Sequence, residues 1–385
     1  MALGRREETM DESMTGILRR EEKITLALRA LYEKYGYRKY RMGKFEEYEL
    51  YLENKNFLKS QNIITFNALD GSVLALKPDV TLSIAKNTHA TARSSEKFYY
   101  LENVYRLDKQ SGSYREISQL GLEYIGCLDQ LASFEVLWLA QRTLSAISDR
   151  HRMQVSHIGF WISLLDGLNI SEALRREILE FVRGKRLHEM KARLREAHVA
   201  EAAVGLLLTA AALCGPFEQT LEEAAKIAIN QGMTEALDEL RAVYGLLLDR
   251  GCAGDMTLDF SLVSDSDYYG GIIFQGYVEG VPRAVLTGGY YGNLLKKFGK
   301  ALDAIGFAVY LNELNLLFRG QGQKPIDALI LYTQDADRHA LLTAAEEMRK
   351  QGLRVRLDRH RPEEERFERI YTFDENGLKE AGKDA

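Results

Sequence analysis

Two strand-like runs, residues 98–106 and 114–125, face each other across a polar turn, 107–113, in which Gly112 sits between two serines. Turn chemistry between runs of this kind encodes a long antiparallel hairpin and commits the chain to a sheet-based core. In the second run Gln119, Gly121 and Glu123 alternate with Leu120, Leu122 and Tyr124. The alternation predicts one polar and one apolar face, a half-buried strand. Arg106 closes the first run and Glu123 comes late in the second. A cation and a carboxylate on one sheet face could cradle a zwitterion. A solvated face with an incidental ion pair, worth little energy, accounts for the same spacing more simply.

At 385 residues the chain can hold one large domain and one or two small ones. With 46% hydrophobic and 28% charged residues, a sizeable core is available and global disorder is excluded. The net charge of −5 removes any electrostatic argument for nucleic acid without excluding RNA. Cys127, Cys214 and Cys252 are far apart, and no cysteine or histidine cluster has zinc spacing, so no metal and no disulfide is expected. The N-terminal stretch is acidic and lacks a long apolar run, and residues 202–214 are too few to cross a bilayer. A cytoplasmic protein without membrane contact is the expectation.

Along the chain, residues 1–14 are expected to fray. Residues 17–35 have helical spacing, with Leu28, Leu31, Tyr32 and Tyr35 on one face and Gly36 as a stop. Residues 37–48 read as extended, and 63–76 as two strands joined at Asp70-Gly71. Pro78 breaks the strand and a helix begins at Thr81. Asp79 and Thr81 stand at that boundary as an N-cap pair. Leu131, Phe134, Leu137 and Trp138 form an apolar helical stripe expected in the core. Residues 154–160 read as a strand whose His157 is structural. From 170 to 250 helix formers dominate, with breaks at Gly215-Pro216 and Gly232. The sheet resumes at Thr257. A βαβ-like unit over 327–357 and one more strand at 369–373 follow.

The hairpin resembles motif 2 of class II aminoacyl-tRNA synthetases, in its histidyl form. The resemblance implies an α+β fold: a class II synthetase-like antiparallel sheet flanked by helices, with a helical insertion and a short C-terminal α/β stub. It implies a core over 1–169 and 251–320, the insertion over 170–250, and a truncated anticodon-binding-like stub over 325–385. Residues 17–48 correspond topologically to motif 1, the dimer interface, without its proline. The run DFSLVSDSDYYGGIIFQGYVEG resembles the histidyl motif built around Leu-Asp-Tyr-Tyr, with Asp267 before the tyrosines. The implied histidine site comprises Asp79 and Thr81 for the ammonium and Arg106 for the carboxylate. Gln119, Glu123, Tyr268 and Tyr269 complete it, with Glu123 and Tyr268 as a pincer on the imidazole. A phenol and a carboxylate on the two ring nitrogens suit that ring.

Four positions depart from the synthetases. Ser264 stands where they place the catalytic arginine. Losing a preorganised cation of that kind costs on the order of 10²–10³ in rate. GGYYGNLLKKFG and GFAVYLNEL resemble motif 3, but Glu313 replaces the arginine that clamps the ATP γ-phosphate, and a carboxylate repels a triphosphate. Tyr290 and Gly292 replace the usual arginine and aspartate of the turn. A chain that keeps the residues for an amino acid but not those for ATP resembles the ATP phosphoribosyltransferase regulatory subunits, a family of synthetase paralogues in histidine biosynthesis. This resemblance implies no catalytic residue and no cofactor. It implies a short-form catalytic subunit as partner, self-association as a dimer within a hetero-oligomer, L-histidine as effector, and no tRNA binding. An active histidine–tRNA ligase and another histidine-binding adaptor stay open as alternatives.

Overall fold

A computed structural model describes residues 18–55, 58, 62–108, 111–263, 269–318, 326–363 and 365–382. The expected fraying of residues 1–14 lies outside them. The chain divides into two compact units, Met1–Leu317 and Phe318–Ala385.

In the first unit, α1 (Arg20–Lys34) opens where Glu22 accepts the Arg19 backbone N–H. It buries Ile24, Leu28 and Tyr32 and ends at Gly36, whose φ of +82° only glycine adopts freely. Leu28 and Tyr32 hold the expected face, and two members of it are less buried than expected. Leu31 is half-buried, and Tyr35 lies at the surface, its hydroxyl accepting from Trp138 Nε1 at 2.8 Å. Then come β1 (Arg38–Lys39), β2 (Phe45–Glu47), α2 (Tyr48–Glu53), β3 (Thr65–Asn67) and β4 (Val73–Leu76). Strands β3 and β4 form the hairpin at Asp70-Gly71 and join β2 in a small sheet of order β2-β4-β3.

The short helix α3 (Thr81–Asn87) leads to β5 (Glu96–Leu107) and β6 (Tyr114–Gly126), which pair antiparallel from Glu96↔Ile125 to Leu107↔Tyr114. Helix α4 (Gln130–Ile147) is capped by Asp129 and buries Val136, Leu137, Leu139, Ala140 and Leu144. The expected core stripe is corrected here. Leu131 is 62% exposed, and Phe134 and Trp138 are half-buried and stacked on each other at 6.1 Å. Strand β7 (His151–His157) stops three residues earlier than expected, because α5 (Ile158–Gly167) begins there.

The helical stretch contains α6 (Glu172–Arg183), α7 (Leu187–Glu196), α8 (Glu201–Ala212), β8 (Cys214–Pro216), α9 (Phe217–Lys226) and α10 (Gln231–Asp249). Two expectations change. Gly215-Pro216 is not a plain break but part of a strand pairing β9 (Met256–Asp259). Gly232 lies inside α10, whose start is set by the Asn230 cap onto the Met233 N–H. Strands β10 (Ile272–Val278) and β11 (Leu286–Tyr290), helix α11 (Gly292–Lys297), β12 (Asp303–Tyr310) and α12 (Leu311–Phe318) follow. Among the described residues the main sheet runs β1-β5-β6-β12-β11-β10-β7-β9-β8, parallel only at β1·β5 and β7·β9.

The second unit carries β13 (Ile326–Tyr332), α13 (Arg338–Lys350), β14 (Val355–Asp358), β15 (Phe367–Asp374) and β16 (Gly377–Gly382). Strand β13 is parallel to both β14 and β15, and β16 adds an antiparallel edge that the sequence pattern did not announce. Its core is Ala328, Ile330, Leu341, Ala345 and Phe373.

Candidate ligand-binding site

The register of β5 and β6 sets Glu102 opposite Gln119, Tyr100 opposite Gly121 and Phe98 opposite Glu123. Residues paired across strands share a face, so Arg106, Tyr100, Gln119 and Glu123 all project to one side of the sheet. That side is not solvated, which corrects the half-buried expectation. Arg106 is 8% exposed, Gln119 3% and Glu123 2%, while Leu120 and Leu122 are buried on the other side. The polar side is walled by Asp79 and Thr81 at the start of α3 and by Tyr291 just before α11. The pocket there is lined by Asp79, Thr81, Arg106, Gln119, Glu123 and Tyr269, joined by Tyr100, Thr287, Tyr291 and Tyr310. Six of the seven predicted site residues therefore meet. The seventh, Tyr268, lies outside the described residues, as do Ser264 and Asp267.

Two small residues make room for the floor. A Cβ on Gly121 would sit 2.0 Å from Tyr100 Cζ, because the tyrosine ring lies flat across that glycine. A Cβ on Gly306, which pairs with Glu123, would sit 1.9 Å from Glu123 Oε2. Side-chain-free backbone is thus what admits the ring and the carboxylate to the sheet surface.

Glu123 accepts from the Thr81 hydroxyl at 2.8 Å and from the Tyr291 hydroxyl at 2.5 Å. Burial pushes its carboxyl up to about 8, against the Tyr291 and Thr81 hydrogen bonds that lower it, while the nearby Asp79 charge adds to the rise. Burial likewise raises the Tyr100 and Tyr269 phenols, so both stay protonated donors. Asp79 acts twice: Oδ1 accepts the Leu82 N–H at 3.0 Å and Oδ2 pairs with Arg106 Nη2 at 3.2 Å. The expected N-cap pair is corrected: Val80 is the N-cap, and Thr81 is the first helical residue, its hydroxyl given to Glu123 instead of the backbone. Arg106 also donates from Nε to the Pro78 carbonyl at 2.7 Å. The free interior is about 40 Å³, space for about three waters. No side-chain hydrogen bond reaches the Gln119 amide among the described residues.

Beyond Arg106 and Tyr310 a wider groove of about 620 Å³ opens, lined by Arg115, Glu116, Arg283, Asn312 and Glu313. Glu313 there stands 3.8 Å from Arg283. His157 is elsewhere and pairs through Nε2 with Glu239 at 2.9 Å, in keeping with a structural part. Tyr100, Thr287, Tyr291 and Tyr310 escaped the sequence reading. For Tyr100 a signal existed, since a hairpin register that opposes tyrosine to glycine invites the ring to fold across. No group of three metal-binding side chains occurs among the described residues, and the three cysteines are free. No described helix is long and apolar enough to cross a membrane.

A long hairpin, a glycine-floored sheet pocket and a strand running directly into α12 define the class II aminoacyl-tRNA synthetase catalytic-core fold. The profile of the histidyl-tRNA synthetase family matches residues 12–314. An ATP phosphoribosyltransferase regulatory subunit of Caldanaerobacter subterraneus is 32% identical over 84% of this chain and 86% of its own length. One from Oceanobacillus iheyensis is 27% identical over 80% and 78%. Among solved structures, a Bacillus halodurans protein titled ATP phosphoribosyltransferase regulatory subunit/histidyl-tRNA synthetase superimposes with TM-score 0.73 at 24% identity, covering 88% of each chain. A chain of the ATP phosphoribosyl transferase (HisG:HisZ) complex of Thermotoga maritima gives TM-score 0.60 at 17% identity, covering 75% of this chain and 96% of that one. The chain belongs to the histidyl-tRNA synthetase family, within its group of ATP phosphoribosyltransferase regulatory subunits.

Proposed function

We propose that this chain is a non-catalytic subunit that activates a short catalytic ATP phosphoribosyltransferase subunit and makes it sensitive to L-histidine. The observation that carries the reading is the polar pocket on the sheet, with a carboxylate and a guanidinium paired 3.2 Å apart in its wall. A zwitterion can take over both halves of that pair, its ammonium on Asp79 and Thr81 and its carboxylate on Arg106. Gln119 and Glu123, with Tyr268 and Tyr269, would then recognise the imidazole. A zwitterion that engages both groups would separate Arg106 from Asp79, which gives the site an empty and an occupied arrangement. A differential affinity of about 1–3 kcal/mol between two assembly states suffices for feedback. Glu313 supports the absence of catalysis, since it puts a carboxylate, 3.8 Å from Arg283, where the resemblance expects a cation for the triphosphate. The same reading takes residues 170–250 as an insertion into a core of 1–169 and 251–320, and 325–385 as a short added domain. It includes a dimer within a cytoplasmic hetero-oligomer.

The test combines the chain with a short catalytic subunit and follows ATP phosphoribosyl transfer with and without L-histidine. Activation by the chain, and inhibition that is lost in the Glu123→Ala variant, are expected. By calorimetry Glu123→Ala should bind histidine more than about tenfold more weakly, the loss of a buried hydrogen-bonding group. Robust ATP–pyrophosphate exchange dependent on histidine would instead identify a working ligase.

A further inference from the structure

Helix α3 has seven residues and carries Thr81 at its first position. A helix of this length has no stability of its own, and the carbonyls of its last turn lack intrahelical partners. Lys300, in the loop between α11 and β12, meets that end. Its ammonium donates to the carbonyls of Ala85 at 2.8 Å, Lys86 at 2.8 Å and Thr88 at 2.9 Å. Three N–H groups serve three acceptors, which uses the full capacity of a lysine. The Lys300 backbone N–H is bonded to the Leu295 carbonyl at 3.0 Å and so belongs to the end of α11. The residue before α11 is Tyr291, its N-cap. Two short helices therefore each present one hydroxyl to Glu123, from Thr81 and Tyr291, and a single lysine ties their far ends together.

Resting on the reading of the pocket as an amino-acid site, we propose that Lys300 is a positioning residue for it. Lys300 lines no part of the pocket. It fixes α3 relative to α11 so that the Thr81 and Tyr291 hydroxyls converge on one carboxylate. A lysine that only stabilised the fold would leave that convergence untouched in the folded protein.

The test uses the full chain and the Lys300→Met variant, which keeps the apolar stem without the donors. In ligand-free protein, carbon-13 NMR of labelled glutamates follows the Glu123 carboxyl, whose resonance is assigned by its loss in Glu123→Gln. Displacing Thr81 removes a hydrogen bond that favours the carboxylate, so the titration moves upward in Lys300→Met. Calorimetry should show L-histidine binding weakened on the order of fivefold, as for loss of a cation at a partly buried helix end. In a Thr81→Val background Lys300→Met should then add nothing, because both act through one contact. Lys297→Met is the control, since Lys297 caps α2 through the Glu53 carbonyl at 2.6 Å and α2 does not line the pocket. It should leave both readouts unchanged. If Lys300→Met does not fold, Lys300→Gln retains two donors and should give a smaller shift in the same direction. An unmoved Glu123 titration in folded Lys300→Met, or a histidine loss that adds fully to that of Thr81→Val, overturns the proposal. If the wild type binds no histidine while the titration still moves, the amino-acid reading fails and the positioning role stands.

Discussion

Replacing Glu123 by glutamine converts the buried carboxyl into a group that cannot ionise while keeping its shape and its place between two hydroxyls. In the folded protein burial holds this carboxyl at about 8, against 4.5 for the unperturbed group. The folded value lies above the unfolded one, so the stability it contributes is fully present below pH 4.5 and is lost as pH rises through 8. Each unit of difference corresponds to about 1.36 kcal/mol, and the loss sums to on the order of 5 kcal/mol across the window. By pH 7 it already amounts to on the order of 3 kcal/mol. Glu123→Gln carries no such loss. Its stability relative to wild type should therefore climb by about 1.4 kcal/mol per pH unit between roughly pH 5 and pH 8, and level off on either side. Urea unfolding at a series of pH values measures this. Both tryptophans, Trp138 and Trp161, lie in the first compact unit, so their fluorescence reports the unit that holds the site. Parallel pH profiles for the two proteins would refute the claim that Glu123 is buried without a countercharge.

Two further outcomes follow from backbone geometry. Gly121→Ala places a methyl where the Tyr100 ring lies, 2.0 Å from Cζ, and should cost about 1–3 kcal/mol by overpacking. Gly121→Ala with Tyr100→Leu should recover much of that in denaturant midpoint, and no recovery would argue against the ring's place on the glycine. Lys185 adopts a φ of +54° just after α6, so Lys185→Gly should raise stability by about 1 kcal/mol through relief of left-handed strain. Thermal melts that show a lower midpoint would contradict this.

The hairpin was legible because alternation and turn chemistry are local: β5 and β6 differ from the expected runs only at their ends. The bond from the Leu82 N–H to Asp79 was legible for the same reason, although Val80 and not Asp79 or Thr81 is the N-cap. Errors fell where a neighbour distant in sequence decides. Leu131 has the helical spacing of a core residue, yet it stands at the surface, 62% exposed. Cys214–Pro216 looked like a break in a helical stretch until β9 supplied a strand to pair with. Tyr291 gave no sign of being the second donor to Glu123, since a tyrosine 168 positions away in the chain carries no local mark of that contact.

Sequence alone determined the polar set on one face of a strand, because side chains alternate every residue and Gln119, Gly121 and Glu123 can only point together. It also put a carboxylate at position 313. The tertiary structure alone decided that the polar set is buried, that Arg106 is held by Asp79, and that Glu123 keeps its proton near neutrality. Those properties depend on desolvation by segments that arrive from elsewhere in the chain, and desolvation is a property of the assembled fold rather than of any stretch within it.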